Sequence, residues 1–142
     1  MSELRLPPTT DSVPLARRFV RQQLRDSECD VDTVVLLVSE VVTNAVLHAR
    51  SDIRVSLEVR GDTARVEVVD SSPAPPRLHR FHIESATGRG LRLLDQLSMG
   101  WGVEPALTDD GSGKVVWFEV GPASEAVWES FADSLFAEGA SE

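Results

Sequence analysis

Apolar residues recur along this chain with two periods, and the period changes where glycine and proline fall. Leu4 and Leu6 alternate with Glu3 and Arg5 before Pro7-Pro8, which predicts a short strand ended by residues that cannot extend a ladder. Beyond Ser12, read as a helix N-cap, Leu15, Ala16, Phe19, Val20 and Leu24 return at helical spacing with Arg17, Arg18 and Arg21 between them. A second helix is expected from Asp30 or Asp32 to about Ala49. Its Val34, Val35, Leu37, Val38, Val41, Val42, Ala45 and Val46 cover most of the circumference, so it belongs inside. Ile53, Val55, Leu57 and Val59 then alternate with charged and polar residues, Gly61-Asp62 marks a turn, and Ala64, Val66 and Val68 resume the two-residue period of a hairpin.

Residues 71–87 hold Pro73, Pro75 and Pro76 and no sustained period, so they read as a loop of a length usually tied to function. Gly88-Arg89-Gly90 opens a short helix carrying Leu91, Leu94 and Leu97. Another pair of strands follows, Trp101 to Val103 and Lys114 to Val120, with a turn within Thr108 to Gly113. After Pro122, Ser124 caps an expected last helix with Val127, Trp128, Phe131, Leu135 and Phe136 on one side. Strands joined mostly by hairpins, with helices grouped between them, predict an α/β two-layer sandwich: a mixed, mostly antiparallel sheet covered by helices on one face. Residues 1–120 form the expected domain, and 121–142 an acidic amphipathic helix packed on it.

Composition narrows this reading. A chain of 142 residues with 42% apolar residues supports one core. Fourteen basic against 23 acidic residues give a net charge of −9, which argues against a general nucleic-acid or membrane-surface binder. Five of those negative charges, Glu125, Glu129, Asp133, Glu138 and Glu142, lie after Gly121, where no Lys or Arg occurs. The 13-to-1 preference for Arg over Lys fits genome base composition and assigns no chemistry. A single cysteine, Cys29, allows no internal disulfide and fits a reducing compartment, so a cytoplasmic location is expected. No 18-residue apolar run and no basic-flanked leader is found, so neither a membrane span nor a signal peptide is expected.

Three features carry candidate chemistry. Glu40, Asn44 and His48 recur at i, i+4 and i+8 inside the apolar second helix, and at about 40° of drift per step they form one slanting stripe. An unpartnered buried amide costs on the order of 2 kcal/mol, and a carboxylate more, so something polar faces that stripe. It is either solvent and neighbouring loops at a helix edge, or a ligand such as a metal-bound phosphate. Asp70 ends a strand, where it serves either a site or its own turn. Gly88 and Gly90 flank Arg89 before a helix, as a loop end or as an anion-binding N-terminus.

Other motifs are set aside. Gly111-Ser112-Gly113-Lys114 lacks the first glycine and the Ser/Thr of a P-loop. His79 and His82 have no acidic or Cys partner at metal spacing. Ser39 beside Glu40 shows no nucleophile–base arrangement, and Trp117 and Phe118 read as packing.

In that order, the stripe, the strand-end Asp and the glycine pair resemble the GHKL ATPase superfamily, specifically its single-domain anti-sigma factor and serine kinase branch. Glu40 and Asn44 match the N box within Leu37 to Ala49, Asp70 begins the next motif, and Gly88-Arg89-Gly90-Leu91 matches the later glycine motif. The resemblance spans roughly residues 4 to 120 and implies a Bergerat-type ATP-binding fold with ATP and Mg²⁺ as cofactors. It implies that Asn44 helps hold Mg²⁺ against the phosphates, that Glu40 is the base, that Asp70 accepts the adenine amino group, and that 71–87 are the ATP lid. His48 belongs to the same ATP-binding stripe, and Gly88, Arg89, Gly90 and Leu91 cover the phosphates. Asp70-Ser71-Ser72 departs from the family's Asp-x-Gly, and a proline-bearing stretch replaces the glycines that follow. By resemblance the function is an anti-sigma regulatory factor with serine/threonine kinase activity toward an anti-sigma antagonist. The alternative is a non-catalytic binding module keeping the fold with weak or structural nucleotide binding. Sigma factor and antagonist are the implied partners, with no direct nucleic acid or membrane contact, and homodimers are common in the branch. A full sensor histidine kinase is not expected, because this length leaves no room for a phosphoacceptor hairpin or sensor domain.

Overall fold

Strand β1 (Ser2–Leu6) runs antiparallel to β2 (Ile53–Arg60), aligning Leu4 with Val55 and Leu6 with Ile53, so that the apolar positions of both strands fall on one face. The computed structural model describes residues 1–48, 52–71, 90–108 and 111–123. Next in the chain, β3 (Thr63–Asp70) pairs with β2 through a two-residue turn in which Gly61 alone has positive φ, +62°, a conformation that L side chains rarely adopt. Strands β4 (Gly100–Thr108) and β5 (Gly111–Val120) form the other hairpin, both longer than the sequence pattern predicts. The sheet order is β1-β2-β3-β5-β4, and every described pairing is antiparallel.

Helix α1 (Ser12–Gln23), α2 (Val31–His48) and α3 (Gly90–Leu97) accompany the sheet. Period-two alternation puts Ile53, Val55, Leu57, Ala64, Val66, Val68, Val116, Phe118 and Val120 on the inner face, where they join Val34, Leu37, Val38 and Val42 of α2 in one core. Helix α2 is long and apolar enough to cross a membrane by length and composition alone. In the fold it contacts α1, α3, β2, β3 and β5, and its apolar residues form the centre of the protein core.

The cap at α1 differs from expectation. Ser12 is the first helical residue, fully buried, and its hydroxyl donates to the Pro7 carbonyl, while Asp11 occupies the N-cap without a side-chain cap bond. With Ser12 already inside the helix, its hydroxyl is engaged backward to Pro7 rather than over the first turn. At α2 Asp30 does cap: Oδ1 accepts from the Thr33 N–H at 3.2 Å and Oδ2 from the Thr33 hydroxyl at 2.8 Å. The Asp30 N–H donates to the Gly121 carbonyl at 2.9 Å, and Cys29 bridges Pro122, so the chain after β5 fixes the start of α2.

On the outer face Trp117 lies against β4. A Cβ at Gly102 would sit 2.6 Å from the Trp117 indole nitrogen, so this close approach requires glycine. The Arg65 guanidinium stacks 4.4 Å from the Trp117 ring centroid and bonds Glu67 at 3.2 Å and Glu119 at 3.0 Å. Residues 121–142 were expected to add a packed helix; everything from Ser124 onward lies outside the described residues.

Candidate active site

The polar stripe of α2 and the end of the sheet face one another. Glu40, Asn44 and His48 line a single cleft, as their four-residue spacing predicts, together with Val41 and Ala45 of the same helix. Val68 and Asp70 of β3, Lys114 and Val116 of β5, and Leu94 of α3 complete its walls. Asp70 faces inward because it continues the Ala64, Val66, Val68 alternation, and Lys114 does so because it precedes Val116, Phe118 and Val120 in phase. The two are direct partners in the β3–β5 register, so their side chains meet at the sheet end beneath the second half of α2.

Burial makes this pair unusual. Asp70 is 2% exposed and Lys114 8%, and Nζ lies 3.6 Å from Oδ2. Charge-assisted contacts of this type are normally near 2.7–2.9 Å. The ammonium is therefore neutralised by its neighbour without being tightly bonded to it. Across the cleft, Oδ1 of Asn44 is buried with no hydrogen-bond partner, as is the hydroxyl of Ser71 beside Asp70. A buried amide oxygen without a partner costs about 1–3 kcal/mol. The expense is understandable where the oxygen awaits a cation or a donor from an occupant. The cleft is a narrow slot, with an interior of about 20 Å³, room for one water.

Two other nucleophilic groups, Ser39 and Cys29, are engaged elsewhere. The Ser39 hydroxyl donates to the Val35 carbonyl at 2.8 Å and accepts from Arg17 Nε at 2.7 Å, which ties it to the α1–α2 contact. Burial pushes the Cys29 thiol above its ordinary range, and the neighbouring Asp30 charge adds to this against the Ser27 hydrogen bond, so it is no activated nucleophile. Among the described residues no group of three or more His, Cys, Asp and Glu side chains could hold a metal by itself.

Of the residues singled out in the sequence, the fold brings Glu40, Asn44, His48 and Asp70 to one cleft. Gly90 begins α3 and Leu91 follows it in the helix backbone, while Gly88, Arg89 and the expected lid lie outside the described residues except Ser71. Lys114 was missed as a site residue. Its signal was in the composition, as the one lysine of a chain with 13 arginines.

Residues 6–119 match the family model described as a histidine kinase-like ATPase domain. Among solved structures, the Acinetobacter baumannii histidine kinase AdeS is similar at a TM-score of 0.48 and 10% identity, over 87% of this chain and 69% of that one. No curated protein matches.

Proposed function

Because the chain belongs to the histidine kinase-like ATPase domain family, within the GHKL superfamily, and so to a family of ATP-binding proteins, we propose that the α2–sheet cleft is its nucleotide site and that the protein is an anti-sigma regulatory factor. In this reading it phosphorylates a serine or threonine of an antagonist protein. The observation that carries it is the buried Asn44 Oδ1 without a partner, one helical turn from Glu40 and across the cleft from the buried Asp70.

The residues fit the implied ligands. Asn44 would offer its buried oxygen to Mg²⁺, and among the described residues no group of three or more His, Cys, Asp and Glu side chains would cage the ion in its place. Bound Mg²⁺ supplies neutralisation of phosphate charge. Asp70 accepts from an exocyclic amino group, and the apolar floor of Val41, Ala45, Val68, Leu94 and Val116 suits the face of a base. Glu40 is half-buried on the same stripe, where its carboxylate accepts the proton of an incoming hydroxyl. Gly90, at the start of α3, belongs with Gly88, Arg89 and Leu91 to the phosphate-covering segment. The partners proposed are a sigma factor and/or an anti-sigma antagonist, in the cytoplasm, with a second copy of the chain as a homodimer partner.

Calorimetry with MgATP tests the site. Wild type is expected to bind, with Asp70→Asn and Asn44→Ala each weakening binding roughly ten-fold or more; absence of binding heat for wild type sinks the proposal. Kinase function is read by labelled phosphate on a purified antagonist. Glu40→Ala is expected to reduce transfer at least 10²-fold, roughly the contribution of a general base. The departure of Asp70-Ser71-Ser72 from the family's Asp-x-Gly favours the second reading, a module that keeps nucleotide weakly or structurally. That reading holds if MgATP binds and no transfer occurs with any antagonist tested.

A further inference from the structure

We propose that Lys114 is a specificity-determining residue of this cleft: its ammonium donates to the ring nitrogen flanking the exocyclic amino group that Asp70 accepts. The inference rests on the nucleotide reading above and deepens it. Three observations carry it. Lys114 is 8% exposed, and among the described residues that line the cleft the carboxylates are Asp70, its register partner, and Glu40 on the facing helix. Its described ion pair is the 3.6 Å contact to Asp70 Oδ2, while an ammonium carries three donors. Donors on a side chain with so little exposure gain from an acceptor in the cleft. Lastly, Asp70 and Lys114 are locked side by side by the β3–β5 register, so the wall presents an acceptor and a donor next to each other.

That paired surface matches one kind of edge, an amino group beside a ring nitrogen. Adenine has such a nitrogen on either flank of its amino group, N1 and N7. Lysine suits the task where arginine does not. A guanidinium would clamp Asp70 with two parallel bonds and spend the carboxylate, whereas an ammonium on a flexible stem can hold the charge and still reach an occupant. The chain uses arginine at all 13 of its other basic positions.

The test compares ATP with 1-deaza-ATP and 7-deaza-ATP, which keep the amino group and each lose one ring acceptor. Affinities are measured by calorimetry on wild type, Lys114→Met and Lys114→Gln. Wild type is expected to bind one analogue roughly ten-fold or more weakly than ATP, the analogue identifying the nitrogen. In Lys114→Met the difference is expected to vanish, and in Lys114→Gln, which keeps a donor, to return in part. Equal affinity of wild type for all three nucleotides overturns the inference and leaves the nucleotide site standing, and needs no folded variant. Discrimination persisting in Lys114→Met overturns it too. A uniform loss for all three nucleotides in that variant, with the wild-type ratio intact, marks Lys114 as a structural counter-ion only. Failure of wild type to bind ATP removes both proposals.

Discussion

At the scale of single residues, the chain spends its rare types where geometry is tightest. Lysine occurs once and lies buried against Asp70. Gly102 is forced by the indole of Trp117, since an added Cβ would lie 2.6 Å from Nε1 and 2.9 Å from Cε2. Gly102→Ala must push the ring away and weaken its stack with Arg65, at a cost of about 1–3 kcal/mol. Thermal unfolding is expected several degrees lower, with altered tryptophan fluorescence; an unchanged midpoint refutes the steric account. The Arg65 contacts to Glu67 and Glu119 lie on a partly exposed face, and a small contribution is expected from each. At Glu58 the Arg60 hydrogen bond holds the carboxyl below its ordinary range, again at the surface, where it says little about stability.

At the scale of elements, α2 decides most. Its apolar circumference fixes it against the sheet, and its start is set by Asp30, whose carboxylate receives both the N–H and the hydroxyl of Thr33. Asp30→Ala is expected to cost about 0.5–2 kcal/mol in urea unfolding with unchanged slope, and Asp30→Asn less. The bonds that tie Asp30 to Gly121 make this cap also the joint between helix and sheet. The element was legible in the sequence because a continuous 3.6-residue pattern needs no tertiary information. Its polar stripe was legible for the same reason. The cap at α1 was not, because Ser12 is recruited by Pro7 on the preceding turn, a contact that depends on how β1 leads into the helix. The length of β4 was hidden as well: Pro105 falls in phase with Trp101 and Val103 and interrupts the apolar alternation, and an edge strand tolerates it.

For the whole molecule, helices α1, α2 and α3 and the inner sheet face share one cluster, in which Phe118 of β5 is fully buried. Phe118→Ala is expected to cost about 3–5 kcal/mol, a large share of the 5–15 kcal/mol that holds a domain together. Chemical denaturation should show a much reduced midpoint; a loss below about 1 kcal/mol refutes a single shared core. The cleft sits at one end of this core, where apolar packing gives way to Asn44, Asp70 and Lys114.

What the sequence determined by itself is local and periodic: the greasy second helix with its Glu40, Asn44 and His48 stripe, the hairpin around Gly61, and the order of motifs that places the chain in its family. Periodicity assigns side chains to faces within an element and is silent about which element stands opposite. Only the tertiary structure decided that β5 lies beside β3 rather than continuing from it, and thereby set Lys114 against Asp70 under α2. Strand register between distant segments is fixed by the summed packing of a whole sheet face, a quantity that no stretch of the chain carries alone.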